Sequence, residues 1–169
     1  MIDLARTPTP LEHLPHLTRA WNGPQLWVKR DDLTGFELSG NKVRKLEFHL
    51  AAALEAGADT VITTGAIQSN HCRATALAAC RLGLACMLVL RTDDGAPPTR
   101  PVGNHLLHRA SGADITKVDP AEYLRRDHTM AHLAEAEVAE GRVPWIIPEG
   151  ASDALGMLCM AAGFAHLAE

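Results

Sequence analysis

The sequence predicts an α/β fold: an open, doubly wound parallel sheet of about four strands. Three observations carry that expectation. Between about residues 45 and 150, short β-branched or apolar runs alternate with helical patterns. Strand–helix–strand repeats of this kind close as right-handed crossovers into a parallel sheet. The run Ala85-Cys86-Met87-Leu88-Val89-Leu90 is nearly apolar throughout, as a strand covered on both faces must be. Aromatic residues are only 4% of the chain, so Ala, Leu, Val and Ile must build the core.

The first forty residues read as irregular and are punctuated by Pro8, Pro10, Pro15 and Pro24. One short extended run, Leu26 to Arg30, ends at Asp31-Asp32. A helix starts at Lys42, where Leu46, Leu50 and Leu54 recur at spacings of four, and Gly57 closes it. Thr60 to Thr64 is the first β-branched strand, and Gly65-Ala66-Ile67-Gln68 is a turn. An alanine-rich helix runs from Ser69 or Asn70 to Leu82 and stops at Gly83. After the apolar strand, Asp93 to Pro98 reads as a loop, and Gly103-Asn104 starts a helix that extends to Ala110. Asp114 to Val118 is the third strand, Arg125 to Glu140 a helix, and Val143 to Ile147 the fourth strand. Pro148-Glu149-Gly150-Ala151-Ser152 then turns into a last helix that runs to the chain end, with Ser152 as its expected cap.

Composition narrows the function classes. Apolar residues at 47% and charged residues at 21% exclude wholesale disorder, and 169 residues suit one domain. A net charge of −4, with no basic cluster interleaved with aromatics, gives no reason to expect nucleic acid. No signal-peptide layout opens the chain, and no apolar run reaches membrane-spanning length, so no membrane association is expected. Cys72, Cys80, Cys86 and Cys159 lack paired spacing and read as buried free thiols, which fits a reducing cytoplasm. His105 with His108, and His128 with His132, could each share a helix face. No Cys or acidic residue completes a ligand set, so no metal is expected.

Three segments carry candidate chemistry. Ser39-Gly40-Asn41-Lys42-Val43-Arg44-Lys45-Leu46-Glu47 places a lysine at the mouth of a helix, directly after a glycine turn. Partial burial and neighbouring cations favour its free amine, the form that attacks an aldehyde. The plainer alternative is a solvated basic first turn. Ser69 can cap the following helix and leave the amides of Asn70, His71 and Cys72 open to an anion, at the strand ends where parallel sheets bind ligands. The Glu149–Ser152 turn should lie along the same sheet edge. Neither a P-loop nor a dinucleotide glycine fingerprint is present. Asp31 and Asp32 resemble a paired acid site, though exposed strand-end carboxylates are commoner.

Together these blocks resemble a known family. Trp27-Val28-Lys29-Arg30-Asp31-Asp32-Leu33, the Ser39–Phe48 segment and Gly65-Ala66-Ile67-Gln68-Ser69-Asn70-His71-Cys72-Arg73 look like three consecutive blocks of the D-cysteine desulfhydrases. The 1-aminocyclopropane-1-carboxylate deaminases share them more loosely. Thr7 to Leu11 and Ile147 to Gly156 extend the match to both ends.

The resemblance implies a fold-type-II pyridoxal phosphate enzyme. Residues 1–44 would belong to its larger domain, 45–150 would form the small α/β domain, and 151–169 would begin the return. Lys42 would be the Schiff-base lysine and proton shuttle, Lys45 would contact the cofactor phosphate, and Asn70 the ring hydroxyl. Ser69 would stand beside a small amino-acid substrate. The amides of Asn70 and His71 would take its carboxylate, and Gly150 and Ser152 would close the pocket. The implied reaction is α,β-elimination on D-cysteine, giving pyruvate, sulfide and ammonia. The alternatives are a deaminase, another sulfur-amino-acid lyase, or a non-catalytic binding or oligomerisation module.

The sequence departs from the desulfhydrase pattern at Glu149, Ala151 and Asp153, where Val, Gly and Asn are usual, and Glu149 adds a negative charge near the carboxylate pocket. His71 follows the desulfhydrase pattern. Family members are roughly twice as long, so this chain is expected to be truncated and weak alone. It would work as a homodimer or with a chain that supplies the missing half.

Overall fold

Leu11–His13 (β1) and Trp27–Lys29 (β2) pair antiparallel as a two-stranded sheet of their own. Thr60–Ala66 (β3), Ala85–Arg91 (β4), Asp114–Val118 (β5) and Pro144–Ile146 (β6) form the expected parallel sheet, in the order β5-β4-β3-β6. The computed structural model describes residues 1–35, 37, 40–96 and 100–165, with 160–165 described by backbone alone. Ser39, the Pro97-Pro98 end of the expected loop and positions 166–169 of the expected last helix lie outside the described residues.

The helices are Pro15–Trp21 (α1), Lys42–Glu55 (α2), Asn70–Leu82 (α3), Gly103–Ala110 (α4), Pro120–Tyr123 (α5), Arg126–Ala139 (α6) and Ala154–Ala165 (α7). Alternation along the central strands covers both sheet faces. Val61, Leu88 and Leu90 pack with Val43, Leu46 and Leu50 of α2 and the alanines of α3. Ile62 and Val89 point the other way, to Val118, Tyr123 and Met130. Burying each large aliphatic side chain contributes about 1.5–3 kcal/mol.

On α2 the stripe Val43, Leu46, Leu50, Ala53 is wholly buried, the helical spacing that seats this helix on the sheet. Leu54, in the same leucine series, is 39% exposed. In α3, Ala74, Ala76, Ala78 and Ala79 are all buried, and their small side chains let the helix lie close to the strands.

Several boundaries differ from the sequence expectation, each for a local reason. The proline-punctuated start is not wholly irregular: it holds β1 and α1, whose first position takes Pro15 because the missing N–H is not needed there. Strand β3 continues through Gly65 and Ala66, which pair with Leu90 and Arg91. The turn expected at Gly65 therefore begins only at Ile67. The four-residue helix α5 was not legible as a separate element. It is started by a capping box, in which Asp119 accepts from Glu122 N at 2.8 Å and Glu122 accepts from Asp119 N at 3.0 Å. Cys80 is exposed rather than buried, while Cys72, Cys86 and Cys159 are buried.

Ser152 does not cap α7. Asp153 takes that part, accepting from Gly156 N at 2.9 Å. The hydroxyl of Ser152 is instead drawn inward by Lys45 Nζ at 3.0 Å.

Candidate functional site

The mouth of α2 is built by a backbone that only glycine adopts easily. Gly40 has φ +109, its N–H donates to Asp31 O at 3.0 Å, and its carbonyl accepts from Thr34 Oγ1 at 3.0 Å. Asp31 in turn accepts both N–H groups of Arg44 at 2.9 Å. Asp32 pairs with Arg30 at 2.7 Å, so these two aspartates serve separate ion pairs and not a shared acid site.

Lys42 is the first residue of α2, and Lys45 and His49 follow on the same side of the helix at three- and four-residue steps. Burial pushes the Lys42 amine below its ordinary pKa, and the Lys45 ammonium pushes the same way. Both act by disfavouring the charged form. Lys45 is 9% exposed and donates to Ser152 Oγ. His49 is 1% exposed, and its Nε2 lies 3.0 Å from Asp153 Oδ1. Burial holds its pKa down, with Asp153 opposing. Two side chains of α2 therefore grip consecutive residues of the turn that follows β6.

That turn bends over Lys42 at Gly150. With φ +67, Gly150 is in the left-handed region, and a side chain there would begin 3.9 Å from Lys42 Nζ and 3.1 Å from Ser152 Oγ. Glycine thus serves the backbone and also leaves room in front of the amine. The next residue, Ala151, also has positive φ, +49, a conformation that costs a residue with a Cβ about 1–2 kcal/mol. Glu149 is exposed. Its carboxylate pairs with Arg126 Nε at 3.2 Å, so the charge expected near the pocket is matched by a cation. Behind it the buried Tyr123 phenol is pushed up to about 12 by burial and then by Glu149. The guanidiniums of Arg91 and Arg126 stand about the Tyr123 ring, 5.2 and 5.1 Å from its centre.

The second wall is the turn between β3 and α3. Ser69 is the N-cap of α3, as expected, and accepts from Cys72 N at 3.2 Å. The Cys72 amide is therefore taken and not open to a ligand. Among the described residues, only the Asn70 and His71 amides of this first turn lack an intramolecular acceptor. Asn70 lies beside the α2 mouth, because a Cβ at Gly40 would stand 3.9 Å from Asn70 Nδ2.

His71 is 2% exposed, and its pKa is lowered to about 3 by burial and then by Lys42, His49 and Lys45. Helix α4 braces this turn from outside. Asn104 N donates to Gln68 Oε1 at 2.9 Å, Asn104 Nδ2 to Gln68 O at 2.8 Å, and His108 Nε2 to Ser69 O at 3.2 Å.

The structure thus brings Lys42, Lys45, Gly150 and Ser152 together, with Asn70 next to Gly40 and His71 within the field of both lysines. Ser69 reaches this group through its turn, its hydroxyl being committed to the cap. The sequence gives His49, Thr63, Asn104 and His108 no part in the site: Asn104 reads as a helix start and His108 as sharing a face with His105. His49 carries a further signal, the spacing that puts it on the lysine side of α2. Among the described residues no set of His, Cys, Asp or Glu gathers closely enough to hold a metal, and no helix is long and apolar enough to cross a membrane.

An amine whose pKa is lowered, a second ammonium and two free helix-terminal amides suit a ligand that carries an aldehyde and an anion. The comparisons with known proteins agree with that chemistry. The family described as pyridoxal-phosphate dependent enzyme matches residues 2–166. A bifunctional D-cysteine desulfhydrase/1-aminocyclopropane-1-carboxylate deaminase of Arabidopsis thaliana is 48% identical over 158 residues, covering 91% of this chain and 39% of that protein. A D-cysteine desulfhydrase of Salmonella paratyphi B is 43% identical, covering 93% of this chain and 48% of that protein. A crystal structure of an ACC deaminase homologue superimposes with TM-score 0.85 at 38% identity, over 99% of this chain and 50% of that one. The chain spans about half the length, or less, of the relatives it matches.

Proposed function

The chain belongs to the family of pyridoxal-phosphate dependent enzymes, and on that premise we propose that it carries the lysine-bearing half of an α,β-eliminating lyase for small sulfur amino acids. The observation that carries the reading is the depressed amine of Lys42 at a glycine-flanked helix mouth, faced by Gly150 and neighboured by Lys45. In this reading Lys42 Nζ holds the cofactor aldehyde, and, once free, moves the substrate α-proton. Lys45 balances phosphate charge, and Asn70 meets the ring hydroxyl. Pyridoxal phosphate, when bound, supplies an electron sink that makes the α-proton removable.

The amides of Asn70 and His71 hold the substrate carboxylate at the positive end of α3. Ser69 shapes that turn and stands beside the substrate. Gly150 and Ser152 close the pocket, their positions secured by the Lys45 and His49 contacts. The overall conversion takes D-cysteine and one water to pyruvate, hydrogen sulfide and ammonia. The same groups can serve deamination of 1-aminocyclopropane-1-carboxylate, and the bifunctional name of the Arabidopsis relative favours keeping that second reading.

The reading extends to organisation. Residues 1–44 belong with a larger domain, 45–150 form the small domain, and 151–169 lead back. Full turnover requires the remainder of a family-length protein, in a homodimer or from an associating chain. The free cysteines support a reducing, cytoplasmic setting.

The test is reductive trapping. The purified chain is incubated with pyridoxal phosphate, reduced with borohydride and mapped by mass spectrometry. The tag is expected on Lys42, with weak saturation, and lost in Lys42→Ala. A tag distributed over Lys29, Lys45 and Lys117 would sink the assignment. Sulfide release from D-cysteine, against ammonia release from the cyclopropane substrate, then separates the two activities in a family-length protein.

A further inference from the structure

Thr63, in the middle of β3, makes two short contacts. Its Oγ1 lies 2.8 Å from His71 Nε2 and 2.7 Å from the carbonyl oxygen of Ile147. A hydroxyl has one proton to give. At 2.7 Å the carbonyl must be accepting it, because two oxygen lone pairs would repel at that distance. The other contact therefore takes its proton from the histidine. His71 is fixed as the Nε2–H tautomer, and its Nδ1 is a bare, buried acceptor without a donor among the described residues. Thr63, His71 and Ile147 are 0%, 2% and 0% exposed, so water does not compete for these bonds.

The two ends of this relay lie in the two turns of the site. His71 belongs to the first turn of α3, two residues after Ser69. Ile147 immediately precedes the Pro148–Ser152 turn, and its own N–H is tied to Ile62 O at 2.8 Å. A single buried hydroxyl thus connects the carboxylate-binding turn to the turn over Lys42. Lys42 itself is mounted on α2 and takes no part in the relay.

We propose that Thr63 and His71 are positioning residues, which set the spacing between the Ser69–His71 turn and the Gly150–Ser152 turn through the bonds His71 Nε2–H to Thr63 and Thr63 O–H to Ile147. The proposal rests on the reading of the first turn as a carboxylate site and names the residues that hold it in place. Valine at position 63 keeps the shape and removes the proton relay. Serine keeps the hydroxyl.

The experiment uses the purified chain without cofactor, with acetate as the carboxylate probe. Nitrogen-15 NMR of the imidazoles at neutral pH is expected to show His71 as a neutral Nε2–H ring. Acetate is expected to shift the Asn70 and His71 amides. In Thr63→Val, loss of one buried hydrogen-bond relay weakens acetate by about five- to tenfold, while the rate of pyridoxal trapping at Lys42 stays within about twofold. Thr63→Ser retains both the tautomer and the acetate affinity.

An Nδ1–H or protonated His71 in the unmutated chain overturns the relay, and that measurement stands even where Thr63→Val fails to fold. Equal loss of acetate binding in the serine and valine variants also overturns it. Acetate that leaves the unmutated amides unshifted, with the tautomer as expected, instead removes the carboxylate site on which the positioning role depends.

Discussion

Gly65→Ala is the sharpest single test of how β3 and α3 fit. Gly65 sits in β3 opposite Leu90 and faces the first turn of α3. A methyl group there would lie 2.7 Å from both Cβ and Oγ of Ser69, and 2.8 Å from Cys72 Sγ. Contacts that short cannot persist. Ser69 has no long flexible arm to swing aside, and its hydroxyl is committed to the Cys72 amide. Overpacking a tight core site costs about 1–3 kcal/mol, and displacing a serine N-cap about 1 kcal/mol more. The expected loss is therefore about 2–4 kcal/mol, read from the shift of the urea midpoint at unchanged slope. Coupling locates the cause. In a Ser69→Ala background the cap is already absent, so Gly65→Ala should cost about 1 kcal/mol less than in the unmutated chain. A loss below about 0.5 kcal/mol, or strictly additive single effects, would refute this account of the turn.

Further outcomes follow from the same geometry. Gly156→Ala would drive a methyl into the carbonyl of Ala151; rigid backbone on both sides makes this at least as destabilising as Gly65→Ala, and thermal melts of the two variants compare them directly. His71 and His108 are buried neutral, with pKa values lowered by burial to about 3 and about 4. Their unfolded counterparts take up protons near 6.5, so the unfolded state binds more protons and stability falls as pH falls. The contribution is intact above about pH 6.5 and is lost as the pH falls to about 3 for His71 and about 4 for His108. Between pH 6 and 5 the two together should remove about 2 kcal/mol; urea titrations with a flat stability across that interval would contradict it. The pH midpoint for pyridoxal trapping at Lys42 should lie below that of an ordinary lysine. Lys45→Ala should move it upward only part of the way, because burial is the larger cause; an unchanged midpoint would remove Lys45 from the account.

Much of the sheet was legible because its signals are local. The β-branched run from Thr60, the apolar run from Ala85 and the glycines that stop helices at 57 and 83 act within a few residues of themselves. The same holds for the Ser69 cap, which closes on an amide three residues away. Helix α5 escaped because a four-residue helix has no periodicity to read, and its capping box was masked by the longer pattern after Arg125. Ser152 misled for a different reason. Serine before a helix reads as a cap, but here Lys45, 107 positions earlier, claims the hydroxyl and leaves the cap to Asp153.

What the sequence alone determined is therefore the order of strands and helices, the lysine at a helix mouth and the Ser69 cap of α3, all set by bonds between near neighbours. Only the tertiary structure decided that Gly150 stands before Lys42, that Arg126 matches Glu149, and that Thr63 joins His71 to Ile147. Those contacts link residues from 8 to 108 positions apart in the numbering. For the Thr63 contacts the reason is burial: packing the parallel sheet excludes water, so the hydroxyl and the imidazole take the partners that the fold brings beside them.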